Sequence, residues 1–233
     1  MSLILALETS GLAGSVAVAR DGVSLGERSL EQAGRRHAQT LVSECRSLLA
    51  EHQQSPRDLT AVAVTRGPGS FTGLRVGIVC AKTLAYALRI PLILVDTFDI
   101  IAAQCPAGWN DVWIVDDAQR QELYVGRYRR TDAESWRLEG VRFIVPMREW
   151  LDSRAESDIV AGPGTAKIPP EVASPRIVRD LAVTVPRAAT VCRIAARKLA
   201  AGETDDVLIA LPFYIRVSGA EEKAAGNASA KCR

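Results

Sequence analysis

Hydroxyl and carboxylate side chains stand at two expected turns, where they could bind a phosphate or a metal–phosphate complex. Thr9 and Ser10 follow the first apolar run, and Asp116, Asp117 and Ala118 occupy the matching place in the second half of the chain. The same residue types also form turns that bind no ligand, because their side chains hydrogen-bond to the nearby backbone. Neither turn carries a Gly-rich phosphate pattern. The sequence therefore favours the turn role and keeps a nucleotide cleft at Thr9, Ser10, Asp117 and Ala118 as the alternative.

A Gly-Pro-Gly-Ser turn, Gly67–Ser70, precedes a long apolar stretch with helical periodicity. Helix N-termini present free N–H groups that can hold an anion. The Lys-Ser or Lys-Thr pair of a phosphate-binding P-loop does not follow, however. The favoured interpretation is a structural strand-to-helix turn with Ser70 as the N-cap.

Small residues recur at every fourth position of this helix, at Gly73, Gly77, Ala81 and Ala85. They form one ridge along the helix, and a helical Gly costs up to ~1 kcal/mol relative to Ala. Such a ridge indicates that another backbone approaches closely. Two interpretations stay open. The ridge packs against its own domain, or it packs against a helix of another subunit.

Metal and nucleophile chemistry finds little support in the residue types. The chain has two histidines, His37 and His52, which fall about four turns apart on one expected helix and cannot share an ion. Its five cysteines contain no CxxC pair, and no serine stands in a GxSxG elbow. We predict no catalytic residue, no metal site and no disulfide framework, with His37 as a capping or interface residue.

Composition sets the broad class. The chain has 233 residues, of which 48% are hydrophobic and 24% charged, and its net charge is +2. Proteins that grip nucleic acid alone usually show a larger, clustered basic excess. No apolar stretch reaches the length of a membrane span without a charge or turn signal, and no signal-peptide pattern is present. We expect a cytoplasmic protein of one large or two small domains that makes no membrane contact.

Hydrophobic periodicity predicts strand–strand–strand–helix–strand–helix–strand in the first half. The Asp21-Gly22 pair marks a tight hairpin between the second and third strands. The expected ranges are 2–8, 14–20, 23–30, 36–52, 59–65, 71–88 and 92–95. The second half is a weaker copy, with three strands, a short helix, a strand and a helix expected at 111–116, 122–129, 136–145, 147–153, 158–161 and 188–201.

Two such halves predict an α/β protein with a duplicated ribonuclease-H-like (actin/Hsp70-like, ASKHA) fold. Each lobe has the order βββαβα, and the second lobe is reduced. We expect an N-terminal lobe at 1–105, a smaller C-terminal lobe at 106–216 and a disordered tail at 217–233.

Several segments together form one family pattern. They are Ile4–Ser10, Arg36–Leu41, Gly67–Gly77, Asp117–Tyr124, and Pro212–Arg216 with Ala220–Glu222. With these segments the chain resembles the TsaB (YeaZ) family, which takes part in forming threonylcarbamoyladenosine in tRNA. The sequence GPGSFTGLRVG at Gly67–Gly77 is the most specific segment, whereas Gln119 replaces the family's usual Arg. The resemblance spans residues 3 to about 223.

The resemblance implies a non-catalytic scaffold with no cofactor beyond weak or complex-dependent ATP or ADP binding. TsaB-like proteins pair with the catalytic paralogue TsaD through two amino-terminal helices, here 36–52 and 70–88. The partner interface is accordingly expected at His37, Leu41, Cys45, Phe71, Gly73, Leu74, Gly77, Ala81 and Ala85. On this basis, Gly77→Leu is expected to block pairing with little damage to the isolated fold.

The family resemblance also implies further partners. A TsaE-like P-loop ATPase joins the heterodimer, and tRNA is held mainly by the complex. Because the two paralogues share a fold, the same surface could form a homodimer when the partner is absent.

One departure separates the chain from the catalytic paralogue. TsaD places a His-x-x-x-His metal pair in the stretch that corresponds to residues 95–101, which contains no histidine here. The chain is therefore similar to the partner and not to the enzyme. An actin-like ATPase or small-molecule kinase stays open as the alternative, which saturable ATP binding would support. A metallopeptidase ("glycoprotease") is disfavoured, because no ligand set could activate a water molecule.

Overall fold

The first half of the chain forms one five-stranded mixed sheet. A computed structural model describes residues 1–11, 13–30, 37–133, 135–172 and 175–214, with backbone alone for 37–39. The elements of this lobe are β1 (Leu3–Glu8), β2 (Ser15–Arg20), β3 (Val23–Ser29), α1 (His37–Glu51), β4 (Ala61–Gly67), α2 (Phe71–Leu88), β5 (Leu92–Asp96) and α3 (Thr97–Gln104). The strand order is β3-β2-β1-β4-β5. The pairs β3-β2 and β2-β1 are antiparallel, and β1-β4 and β4-β5 are parallel.

The second half repeats this topology. Its elements are β6 (Asp111–Asp117), β7 (Glu122–Arg130), β8 (Trp136–Pro146), α4 (Met147–Asp152), β9 (Ile159–Ala161), β10 (Arg176–Ile177), α5 (Leu181–Thr184) and α6 (Ala188–Ala200). The strand order β8-β7-β6-β9-β10 has the same sequence of antiparallel and parallel pairs as the first sheet. A short 3-10 turn, Pro163–Lys167, stands where the first lobe has α2. The predicted duplicated actin-like fold, with a reduced second lobe, is confirmed.

Local sequence signals fix most element boundaries. At the β2–β3 hairpin, Asp21 and Gly22 adopt φ values of +49° and +80°, as a type I′ turn requires. Ser70 is the N-cap of α2 and accepts a hydrogen bond from the Gly73 amide, as expected. Helix α3 was not expected, because it follows β5 directly and its eight residues show no clear apolar stripe. The predicted tail at 217–233 lies outside the described residues.

The two faces of the first sheet are covered by different parts of the chain. Leu3, Leu5 and Leu7 face the core that α1 and α2 cover, whereas Ile4 and Ala6 face the opposite core. Helix α6 packs on that opposite face, against β1 and β2. Small side chains on this face of the strands leave room for the helix, and Cys192 and Ala195 of α6 are completely buried there.

The expected second-lobe range of 106–216 is therefore divided in the structure. The second sheet accounts for β6 to β10, and the helix predicted at 188–201 returns to the first lobe as α6. Residues 205–214 also lie on the first lobe, where the Asp205 amide donates to the Leu92 carbonyl at 2.8 Å. Periodicity identified the helix correctly, but it carries no information about which sheet a helix covers.

Candidate functional site

The beginning of α2 rests on the turn that follows β1. The Ser70 amide donates to the Ser10 carbonyl at 2.6 Å. Gly69 has a φ of +149°, and a Cβ added there would overlap the same carbonyl. The Gly67–Ser70 segment thus performs the structural strand-to-helix role that the sequence favoured.

The small-residue ridge of α2 faces the interior of its own lobe. A Cβ on Gly73 would overlap the Thr9 carbonyl, and a Cβ on Gly77 would overlap Thr9 Oγ1 and lie 3.3 Å from Thr9 Cβ. Ala81 and Ala85 are buried at 0% and 1% exposure. The close backbone approach was predicted correctly, but the interpretation of the ridge as a surface for another subunit is wrong.

Most of the expected interface residues are accordingly unavailable to a partner. Side chains or Cα atoms buried inside the first lobe are those of Leu41, Leu74, Gly77, Ala81 and Ala85, whereas Cys45, with 5% exposure, lines an apolar groove between α1 and α2. Phe71 and Gly73 are half-buried, and the His37 side chain lies outside the described atoms. Gly77→Leu would damage the isolated fold, contrary to expectation, because Thr9 occupies the space that a side chain needs.

The opposite side of α2 and the adjacent side of α1 together form an exposed apolar groove. Val42 of α1 is 67% exposed and Val79 of α2 is 62% exposed. The groove has a volume of about 700 Å³. Its remaining lining residues are Leu5, Cys45, Arg46, Leu49, Pro56, Leu59, Arg75, Val76, Cys80, Thr83 and Leu84. We call this feature the α1–α2 groove.

The α1–α2 groove is suited to binding apolar side chains. Only Arg46, Arg75 and Thr83 bring polar side chains to it. Burial raises the pKa of the Cys45 and Cys80 thiols, so both stay neutral and neither is an activated nucleophile. Contiguous exposed apolar surface of this kind marks interaction sites.

Helix α2 is unusual for a helix of a globular lobe. Among the described residues it is the one helix long and apolar enough to cross a bilayer by length and composition. Five of its eighteen residues are buried, and these five pack on the lobe. The apolar character of α2 thus exceeds what its own lobe covers, and part of the excess, at Val79, lies on the α1–α2 groove.

The first-lobe turn residues that suggested a nucleotide cleft are enclosed inside the protein. Glu8 is fully buried, and its Oε1 accepts hydrogen bonds from the amide of Ser10, at 2.7 Å, and from the hydroxyl of Ser10. The Thr9 hydroxyl points at Gly77. The structure thus gives Thr9 and Ser10 positions that suit their turn role, while phosphate binding by either hydroxyl stays a prediction.

The matching turn of the second lobe also has its own partners. Asp117 accepts a hydrogen bond from the Gln119 amide at 2.7 Å and forms an ion pair of 3.5 Å with Lys167. The Ala118 amide donates to the Glu122 carbonyl at 3.0 Å, and Ala118 is buried. Nucleotide contact at Asp117 and Ala118 likewise stays a prediction.

Two carboxyl groups with raised pKa values lie at these turns, the fully buried Glu8 and the half-buried Asp116. Burial raises the pKa of Glu8 to about 7, and the charge of Asp116 adds to that rise. Burial likewise raises the pKa of Asp116 to about 7. Within the described ranges, no three or more His, Cys, Asp or Glu side chains are placed to hold a metal ion.

A second Gly-Pro-Gly turn repeats the geometry of the first. Gly164 follows β9 as Gly69 follows β4, and a Cβ on Gly164 would lie 2.8 Å from the Asp116 carbonyl carbon. Each Gly-Pro-Gly turn therefore packs closely on the end of the first strand of its lobe or on the turn that follows it. The repeated tripeptide is the sequence signal that could have located both contacts.

Arg142 of β8 connects the two lobes through buried hydrogen bonds. Its guanidinium donates to Asp96 Oδ2 at 2.9 Å and to the Tyr128 hydroxyl at 2.7 Å. Arg66 also donates to Asp96, at 2.7 and 3.2 Å. Tyr128 donates to Asp99 at 2.8 Å. These contacts fix the relation between the lobes, and no sequence pattern indicates them because the residues are far apart along the chain.

The fold and this arrangement of turns define the chain as a two-lobed, actin-like α/β protein. A family model described as TsaD, tRNA N6-adenosine threonylcarbamoyltransferase, matches residues 31–224. The chain is 31% identical over 230 residues to the tRNA threonylcarbamoyladenosine biosynthesis protein TsaB of Escherichia coli (strain K12), covering 96% of this chain and 99% of that relative. The TsaB of Bacillus subtilis (strain 168) is 29% identical over 155 residues, covering 66% and 67%.

A solved structure gives the same result. YeaZ from Pseudomonas aeruginosa superimposes with a TM-score of 0.76 at 31% identity, covering 92% of this chain and 100% of that one. The chain belongs to the TsaB (YeaZ) family, and the resemblance found in the sequence is confirmed.

Proposed function

We propose that this chain is a non-catalytic scaffold subunit in the synthesis of N6-threonylcarbamoyladenosine in tRNA, and that it binds and activates a TsaD-like transferase. Membership of the TsaB family supports a role in this pathway, because the E. coli relative is named for threonylcarbamoyladenosine biosynthesis. The α1–α2 groove is the observation that carries the binding role. Val42 and Val79 of the groove are more than 60% exposed, whereas the small-residue ridge of α2 is covered by its own lobe.

The contacts of the first lobe favour docking over chemistry. The Ser10 hydroxyl is committed to Glu8, and the Thr9 hydroxyl is enclosed by α2. In contrast, the α1–α2 groove has apolar walls and a floor formed by the sheet residue Leu5. A surface of this kind gains free energy when apolar side chains cover it, by roughly 25 cal/mol per Å² of apolar area.

The remaining partners enter through this heterodimer. A TsaE-like P-loop ATPase binds the assembled pair, and the tRNA contacts the complex rather than this chain alone, in line with the net charge of +2. Without its paralogue the chain uses the same groove to form a homodimer. The tRNA is modified in the cytoplasm. Any ATP or ADP binding is weak or depends on the complex.

A charge placed in the groove tests the proposal. Val79→Glu puts a carboxylate at a 62% exposed position of the groove, and Val141→Glu makes the same change at a 74% exposed position on β8. Titration calorimetry with the TsaD-like protein of the same source should show Val79→Glu binding about 100-fold more weakly. Val141→Glu should bind as the wild type does.

Turnover measurements separate a scaffold from an enzyme. The TsaD-like protein should modify tRNA faster when the wild-type chain is added, and Val79→Glu should lose this effect. The chain alone should produce no modified tRNA and should hydrolyse no ATP. Equal binding by Val79→Glu and the wild type would refute the assignment of the groove. Saturable ATP turnover by the isolated chain would favour an actin-like ATPase instead.

A further inference from the structure

Residues 207–214 form an irregular segment that runs along α2, and we call it the C-terminal strap. Lys82 Nζ donates to the Leu208 and Ala210 carbonyls, at 3.0 Å each. At the other end of the strap, the Tyr214 hydroxyl accepts a hydrogen bond of 3.0 Å from Arg75 Nε. The strap therefore lies along one flank of α2, antiparallel to it, while α1 lies along the other flank.

The strap is anchored firmly by its backbone and its inward side chains. Ala210 is buried in the core of the first lobe, and Val207 packs against that core. The Phe213 amide donates to the Arg66 carbonyl at 2.7 Å. The Tyr214 ring packs on the Phe71 ring, with 4.9 Å between their centroids. The position of the strap is thus fixed by several independent contacts.

The outward side chains of the strap are large, apolar and uncovered. Leu208, Ile209 and Leu211 are 71%, 74% and 71% exposed. A solvent-facing strap would ordinarily carry polar side chains at such positions, because covering leucine and isoleucine removes apolar area from water. Three of them on one fixed segment indicate that another surface covers the strap.

These side chains continue the surface of the α1–α2 groove. Lys82, which holds the strap, is one helical turn from Tyr86, and Tyr86 is 68% exposed. More than half of the large exposed apolar side chains in the described residues lie on α1, α2 or the strap. They are Val42, Val79, Tyr86, Leu208, Ile209, Leu211, Phe213 and Tyr214.

We propose that the C-terminal strap is the third wall of the partner-binding surface, and that Leu208, Ile209 and Leu211 contact the TsaD-like paralogue directly. This inference rests on the proposed function. The strap and the groove are continuous across the exposed side of α2. A partner that covers Val79 and Tyr86 therefore reaches both the groove and the strap, so the protein that binds the groove is also the one that covers the strap. The strap makes the interface wider than two helices.

A double variant tests the strap, and the chain offers a matched control. Leu208→Glu/Leu211→Glu changes two exposed leucines of the strap, and Leu181→Glu changes a leucine with 72% exposure on α5 of the second lobe. Calorimetry with the TsaD-like protein should show the double variant binding about 100-fold more weakly, since each of the two covered leucines is worth about a factor of ten in Kd. Leu181→Glu should bind normally, and all three proteins should melt at the same temperature.

Val79→Glu separates failure of the strap from failure of the groove. If Val79→Glu weakens binding and the strap variant binds as the wild type does, the strap inference is overturned and the proposed function stands. If the wild-type chain does not bind the paralogue, both are overturned. If the strap variant loses only self-association of the chain, measured by light scattering, a second copy is the occupant and the inference is again overturned.

Discussion

Replacing Gly77 with Ala should destabilise the protein, although Ala favours helices. The new Cβ would overlap Thr9 Oγ1 and would lie 3.3 Å from Thr9 Cβ and Cγ2. Thr9 is completely buried, so it has no open space to move into. Overpacking of this kind costs about 1–3 kcal/mol, whereas helix propensity returns up to about 1 kcal/mol. The expected net loss is about 1–2 kcal/mol.

Thermal unfolding followed by circular dichroism measures this effect. A loss of 1–2 kcal/mol lowers the Tm by about 2–8 °C in a chain of this size. Thr9→Ala removes the hydroxyl and methyl groups that the new Cβ meets, so Gly77→Ala/Thr9→Ala should recover most of the loss in a double-mutant cycle. Gly108→Ala is the control, because nothing lies within 4 Å of its added Cβ.

The outcome distinguishes the two interpretations of the ridge. If the ridge were a surface for another subunit, Gly77→Ala would raise the Tm through helix propensity and would weaken partner binding. A Tm above that of the wild type, or a loss that Thr9→Ala leaves unchanged, would refute the packing of α2 on Thr9.

Two further predictions concern charged groups. Burial raises the pKa of Glu8 from 4.5 to about 7. Between these pH values the native state binds more protons than the unfolded state. The free energy of unfolding therefore falls as the pH rises from about 4.5 to about 7. Glu8→Gln should therefore have a higher Tm than the wild type at about pH 8, and its Tm should depend less on pH. Asp116 accounts for the pH dependence that remains. The same dependence of Tm on pH in both proteins would contradict the burial of this charge. Arg142→Ala should cost about 1.5–3 kcal/mol in urea unfolding, because the charged hydrogen bonds to Asp96 and to the Tyr128 hydroxyl are lost while Arg66 still pairs with Asp96. Arg137→Ala, which removes a 69% exposed guanidinium paired with Glu139, should change stability by less than about 0.5 kcal/mol, and equal losses would contradict the role of Arg142.

Much of the fold was predictable because its signals are local. The apolar run of β1, the alternation in β2, the Asp21-Gly22 turn and the Ser70 cap each depend on residues close together in the chain. The duplicated order of elements followed from the repetition of these signals. Helix α6 was recognised, but its place on the first lobe depends on contacts with strands about 170 residues earlier.

The sequence predicted which helices form the candidate site, but not which face of α2 is exposed. A ridge of small residues indicates close approach without naming the surface approached, and Thr9 proved to be that surface. The available face carries Val42 and Val79, and apolar residues on the exposed side of a helix are the signal that could have found it. The strap has no periodicity, so only the fold could place it beside α2.

The affinity of the chain for the TsaD-like protein of the same source tests the central claim most directly. Light scattering during size-exclusion chromatography, with each protein run alone and then mixed, should show a new one-to-one heterodimer for the wild type and for Val141→Glu. Val79→Glu should elute as the separate proteins. A mixture in which the wild-type chain never associates with that protein, with or without ATP, would contradict the account.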